Sequence, residues 1–115
     1  MIKRTHTCGE ITLNELNLTV SLNGWISKSR DLGGLIFIDL RDRYGITQVV
    51  FNEKTNKEIF EKVKKLGLED VIGVEGLVIK RPSDAINESM ITGKIDIDVQ
   101  KLVIYNESDP TPFDI

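Results

Sequence analysis

The chain of 115 residues has one cysteine, one histidine, three prolines and 6% aromatic residues. A single cysteine forms no internal disulfide, which points to a reducing, cytoplasmic home. His6 and Cys8 stand close together, but a structural zinc site takes four ligands, so this pair does not build one. No apolar run approaches the roughly 20 residues that cross a bilayer. The start, Met1 to Cys8, lacks the apolar stretch of a secretory signal. Positive charge is also short: 15 Lys+Arg face 18 Asp+Glu, a net −3. Proteins that hold nucleic acid by charge alone need a surplus of bases, so the total argues against that class. The deficit is local, however. Residues 105–115 carry Glu107, Asp109 and Asp114 and no base, which leaves residues 1–104 with fifteen acids and fifteen bases.

What is present is an ordinary globular composition, 40% hydrophobic and 29% charged, at the length of one small domain. Residues 1–81 contain no proline, whereas Pro110 and Pro112 fall in the last six residues. The reading is one domain over 1–104 and the start of a hinge over 105–115. Thr12-Leu13-Asn14-Glu15 has the capping-box pattern and predicts a short helical turn. A strand follows over about 19–29, with Val20, Leu22 and Ile26 on one side and a bulge or bend expected at Gly24. Gly33-Gly34 predicts a turn. The next strand, 35–41, sets Ile36, Ile38 and Leu40 on one face and Leu35, Phe37, Asp39 and Arg41 on the other. A third strand covers 46–51. Thr55-Asn56-Lys57-Glu58 reads as a second capping box, opening a helix over 55–66 that closes at Gly67. Strands are expected over 71–80 and from 95, where Ile95, Ile97 and Val99 alternate with Asp96 and Asp98.

The order is β-β-β-α-β-β. An all-β chain with one helix between its third and fourth strands is the pattern of the five-stranded OB-fold barrel. An SH3-like barrel is the competing reading, and it gives that helix no role.

Catalytic signatures are missing. There is no Walker-type phosphate loop, no His–carboxylate cluster and no nucleophile motif. Asp39, Asp42, Asp96 and Asp98 read as solvated acids rather than a metal cluster. Binding is better supported. Phe37 sits on the polar face of its strand, where a base could stack on it. Lys28 and Arg30 lie just before it and can meet phosphates or base edges. Gln48, on the third strand, both donates and accepts. Strands two and three form the usual binding face of an OB-fold.

These residues also carry a resemblance. Cys8-Gly9-Glu10, Val20-x-Leu22-x-Gly24-Trp25, the run from Arg30 to Gly45 and Gln48-Val49-Val50-Phe51 resemble the N-terminal domain of bacterial-type aspartyl-tRNA synthetases. Thr92-Gly93-Lys94-Ile95-Asp96 resembles a later motif of that family. The resemblance implies an OB-fold that binds the anticodon loop of tRNA(Asp), with its bases splayed out. It implies that Phe37 stacks on the middle base, a uracil, with Arg30 and Gln48 hydrogen-bonded around it. Arg81 would help read the third base, and Asp96 stands where the family's first-base Glu is usual. Lys28 replaces a common Arg, Ala85 replaces a common Asn, and Leu32 stands where some members that charge both tRNA(Asp) and tRNA(Asn) carry His. Leu32 thus leans towards tRNA(Asp) alone.

The family's full-length enzymes use ATP and Mg²⁺ to attach aspartate, in a catalytic domain expected to lie beyond this chain, through which they dimerise. This piece, with no cofactor of its own, is expected to be a non-catalytic monomer. Two alternatives stay open: a general single-strand-binding OB-fold protein, and a protein-interaction barrel using Tyr44.

Overall fold

The computed structural model describes residues 2–105. The strands are β1 (Thr19–Asp31), β2 (Leu35–Asp42), β3 (Gly45–Asn52), β4 (Val71–Lys80) and β5 (Ile95–Tyr105), with one α-helix, α1 (Lys57–Val63), between β3 and β4. The strands close into a barrel in the order β1-β2-β3-β5-β4, with β4 returning to β1. All pairings are antiparallel except β3 with β5, which is parallel. The β3–β5 seam closes over two residue pairs, Val49–Ile97 and Val50–Asp98. This is the five-stranded OB-fold arrangement.

The core follows the strand parity. Ile36, Ile38 and Leu40 of β2 and Ile95, Ile97 and Val99 of β5 all point inward and are buried. Val20, Leu22 and Ile26 supply the β1 share. Helix α1 inserts Phe60 and Val63 into the same cluster. Cys8 is also fully buried there. Burial raises its thiol pKa, and the neighbouring Asp42 carboxylate raises it further. Asp42 is itself buried but satisfied, accepting from the backbone amides of Cys8, Tyr44 and Gly45.

The Thr12–Glu15 capping box forms as expected, over a single 3-10 turn, Leu13–Glu15. Other local expectations shift. α1 is shorter than 55–66: Asn56 rather than Thr55 caps its start, its side chain accepting from the Ile59 amide at 3.0 Å, and the helix ends at Val63. The left-handed residue after the helix is Glu69, at φ 71°, not Gly67. Gly24 is not the bulge. Ladder pairing runs through it unbroken, and a Cβ there would stand 2.4 Å from the Arg41 carbonyl oxygen, so glycine is needed for close strand approach. β5 runs to Tyr105, whose hydroxyl donates to Asn23 and accepts from the Ile2 amide. Tyr105, expected as the first residue of a hinge over 105–115, is therefore a barrel residue, and the remainder of that hinge, 106–115, lies outside the described residues.

Candidate nucleic-acid interface

The real irregularity of β1 lies between Ile26 and Lys28, where the register with β2 shifts by one residue around Ser27. Its effect on side-chain direction is large. Up to Ile26 the even-numbered residues of β1 face the core, and Ile26 pairs with the inward Leu40. Continued parity would drive Lys28 and Arg30 inward as well. The extra residue resets the alternation, so Lys28 pairs with Asp39 and Arg30 with Phe37 on the outer face. Ser27 ties the bulge down by donating its hydroxyl to the Asp39 carbonyl at 3.1 Å. A local fault in the ladder thus aims both cations at one surface.

On that surface the β2–β3 ladder sets Phe37 beside Val50 and Asp39 beside Gln48. The parallel β3–β5 pairs then bring β5 alongside, with its outward Asp96 next to Gln48. The opposite wall is the segment after β4, a 3-10 turn at Ser83–Ala85 followed by Asn87 and Met90. Between them lies a groove of about 530 Å³. All six residues expected from the sequence, Lys28, Arg30, Phe37, Gln48, Arg81 and Asp96, line it.

The groove has two ends of different character. At one, the Arg30 guanidinium lies over the Phe37 ring, 5.5 Å from its centroid. Arg30 is exposed and Phe37 half-buried, so ring and cation form one flat, partly wet platform. At the other end, one oxygen of Asp96 accepts from Arg81 Nε at 2.8 Å and from Gln48 Nε2 at 3.0 Å. An ionised carboxylate only accepts, so Gln48 must turn its amide nitrogen towards Asp96, which leaves its carbonyl oxygen as the free acceptor. Arg81 is only 5% exposed. It also donates to the carbonyls of Ile95 (3.1 Å) and Ala85 (3.3 Å), and so fastens the far wall to β5. Burial raises the Asp96 pKa, while the Arg81 charge and the hydrogen bonds from Arg81 and Gln48 pull it back.

Arg81 and Asp96, expected from the resemblance to serve the third and first bases, touch each other. Asp39, read from the sequence as a solvated acid, lies inside the groove, and Met90 and Asn87 complete it. Their signal in the sequence was weak: the parity of β2 placed Asp39 beside Phe37, whereas nothing local marks Met90. Formal charge within the groove balances, with Lys28, Arg30 and Arg81 against Asp39, Asp84 and Asp96. Among the described residues no three His, Cys, Asp or Glu side chains gather as a metal site.

A barrel of this topology, with an aromatic platform and base-sized polar groups on β2, β3 and β5, belongs to the class of OB-folds that engage nucleic acid. The chain is a member of the OB-fold nucleic acid binding domain family of the tRNA anti-codon type, whose pattern matches residues 20–105. Among curated relatives, an aspartate–tRNA(Asp/Asn) ligase of Bacillus mycoides is 50% identical over 112 residues, 97% of this chain and 19% of the relative. The Bacillus anthracis ligase of the same name matches equally. The chain therefore spans about a fifth of the length of the curated relatives it matches. Among solved structures, the asparaginyl-tRNA synthetase of Pyrococcus horikoshii superposes with a TM-score of 0.74 at 34% identity. That match covers 90% of this chain and 22% of the synthetase. An OBody bound to hen egg-white lysozyme shares the fold, with a TM-score of 0.80 at 24% identity, covering 94% of this chain and 98% of the OBody.

Proposed function

We propose that this chain is the anticodon-reading module of an aspartate–tRNA ligase, binding the anticodon loop of tRNA(Asp) in the β1–β2–β3–β5 groove. The observation that carries the reading is convergence: six residues dispersed between positions 28 and 96 line one groove with a platform at one end and base-edge groups at the other. Phe37 stacks on the middle base. Arg30 and the free Gln48 oxygen make hydrogen bonds around it, and Lys28 serves the backbone. The Asp96–Arg81 unit reads a neighbouring base, with Asp96 at the base edge and Arg81 holding it. Asp96 is one methylene shorter than the Glu common in similar domains, and Gln48 and Arg81 fix its position.

Aspartate activation with ATP and Mg²⁺ belongs to the portion of the relatives that this chain does not match. The described residues offer no acidic cluster to hold Mg²⁺, and no step of that chemistry is routed through them. The 115-residue chain is monomeric in this reading, cytoplasmic in setting, and the full-length enzyme dimerises elsewhere. The relatives named above are ligases for both tRNA(Asp) and tRNA(Asn), so exclusive use of tRNA(Asp) is not drawn from Leu32, which stands exposed near the groove.

Titration of the chain with a labelled tRNA(Asp) anticodon stem-loop, at stated salt, tests the proposal. Swapping the middle base should weaken binding, and Phe37→Ala should cost about 1–3 kcal/mol. Affinity indifferent to the swap would make this a general single-strand binder. Equal binding by Phe37→Ala and wild type would remove the stacking role.

A further inference from the structure

We propose that the groove continues past Gln48 into a second compartment that takes one more nucleotide of the single strand, flanking the anticodon. The inference rests on the anticodon reading above. On the outer face of β2 and β3, ladder pairs follow one another as Phe37–Val50, Asp39–Gln48 and Arg41–Ile46. Residues two apart on a strand are about 7 Å apart, so Arg41–Ile46 is one further stride along the track that begins at Phe37. There a second hollow opens, of about 280 Å³, walled by Tyr44, Ile46, Met90 and Ile91. Met90 lines both hollows, so the two are adjoining compartments of one surface.

The chemistry of the compartment fits a nucleotide. Ile91 is 75% exposed and Tyr44 55% exposed. Large apolar groups held open to water beside a polar groove mark a contact surface. The ring of Tyr44 is already engaged, with the guanidinium groups of Arg4 and Arg43 at 5.6 and 5.5 Å from its centroid. Tyr44 therefore holds cations at the rim, and the wall left for a base is Ile46, Met90 and Ile91. Arg41 stands exposed at the lip, where a phosphate would pass. The carboxylate of the same turn, Asp42, is buried and accepts from three backbone amides. Glu10 is occupied by the Thr7 amide. An exposed arginine at the lip of an apolar hollow, on a track continuous with the anticodon groove, favours a polyanion with flat bases over a protein segment.

The test uses the whole 115-residue chain and four anticodon stem-loops. One is intact, one carries an abasic site 5′ of the anticodon, one carries it 3′, and one has the middle anticodon base swapped. Wild type should bind one of the two abasic loops about 5- to 10-fold more weakly than the intact loop. Ile91→Ser should abolish that difference. Arg41→Gln, exposed and independent of the apolar wall, should reduce the slope of log K against log salt by about 0.7. Both variants should keep their preference for the correct middle base, with melting curves recorded alongside. Two results would overturn the compartment: abasic loops that bind wild type as well as the intact loop, or an abasic penalty undiminished in Ile91→Ser. A hollow silent towards every RNA would instead suit a protein segment. The middle-base swap reports separately on the anticodon reading. A lost base preference with a retained abasic effect sinks that reading, and the converse sinks the compartment.

Discussion

Asp96 shows how one side chain acquires a role from its neighbours. It is buried to 6% exposure, and its oxygen is shared between Arg81 and Gln48. Removing either partner of such a buried pair alone leaves an uncompensated charge, at a cost of about 3–5 kcal/mol. The net upward pKa shift says that lost hydration outweighs the attraction of Arg81. The consequence for stability has a definite sign. A carboxyl with a raised native pKa keeps its proton in the folded state after the unfolded chain has lost it. Its stabilising contribution is complete below the ordinary Asp value of 3.8 and is lost as pH rises through the raised native value. Asp96→Asn keeps an acceptor oxygen for Arg81 and Gln48 but does not titrate. The unfolding free energy of wild type minus that of Asp96→Asn should therefore fall as pH rises above about 4, by at most about 1.4 kcal/mol per pH unit. Urea unfolding of both proteins between pH 3.5 and pH 7, on the order of half-unit steps, checks it. A difference that rises with pH would mean that the Arg81 charge governs the carboxyl instead.

At the scale of elements, the sequence disclosed whatever repeats with a period and concealed whatever depends on pairing. Alternation in β2 and β5 identified the buried faces, and the capping residues over 55–58 located α1. The bulge at Ser27 was not legible, because Ile26-Ser27-Lys28-Ser29-Arg30 alternates just as an uninterrupted strand would; only the pairing with β2 reveals the reset. Gly24 attracted the bend because glycine signals both bends and close approach, and the sequence does not distinguish them. The Arg81–Asp96 contact was likewise hidden, since it joins the end of β4 to the start of β5 across an intervening loop. Phe37's place in the groove was legible because strand parity and the family resemblance agreed, whereas parity alone turns Arg30 inward and only the resemblance set it beside Phe37. α1 itself is brief, seven residues, too short to be stable alone. Its contribution must come through Phe60, which is fully buried against the barrel. Phe60→Ala should cost about 3–5 kcal/mol of stability. A shift of the denaturation midpoint with an unchanged slope would show that the barrel persists and only its packing is weakened. A loss below about 1 kcal/mol would show that the helix does not close the core.

For the whole molecule, the decisive quantity is the distribution of charge rather than its sum. The net −3 belongs to residues 105–115, and the rest of the chain is balanced. The groove repeats that balance, with three cations and three carboxylates on its walls. Arg81 is committed to Asp96, which leaves Lys28 and Arg30 as the groove cations open to phosphate. Each phosphate neutralised on a single strand adds about 0.7 to the salt slope. With Arg41 included, the slope of log K against log salt should be about −2 or shallower. A balanced groove makes wrong RNA bind poorly, because little attraction remains once the base contacts are lost. Asp39 contributes directly to this: it pairs across the ladder with Lys28 and lines the groove. Asp39→Asn should therefore tighten binding to every stem-loop, steepen the salt slope as Lys28 becomes fully available, and shrink the ratio between the correct and base-swapped loops. Anisotropy titrations of wild type and Asp39→Asn, over a several-fold range of salt, measure all three quantities together. Tighter binding with an unchanged ratio would mean that discrimination comes from the base contacts alone. Weaker binding would mean that Asp39 accepts a hydrogen bond from the RNA and belongs among the reading groups.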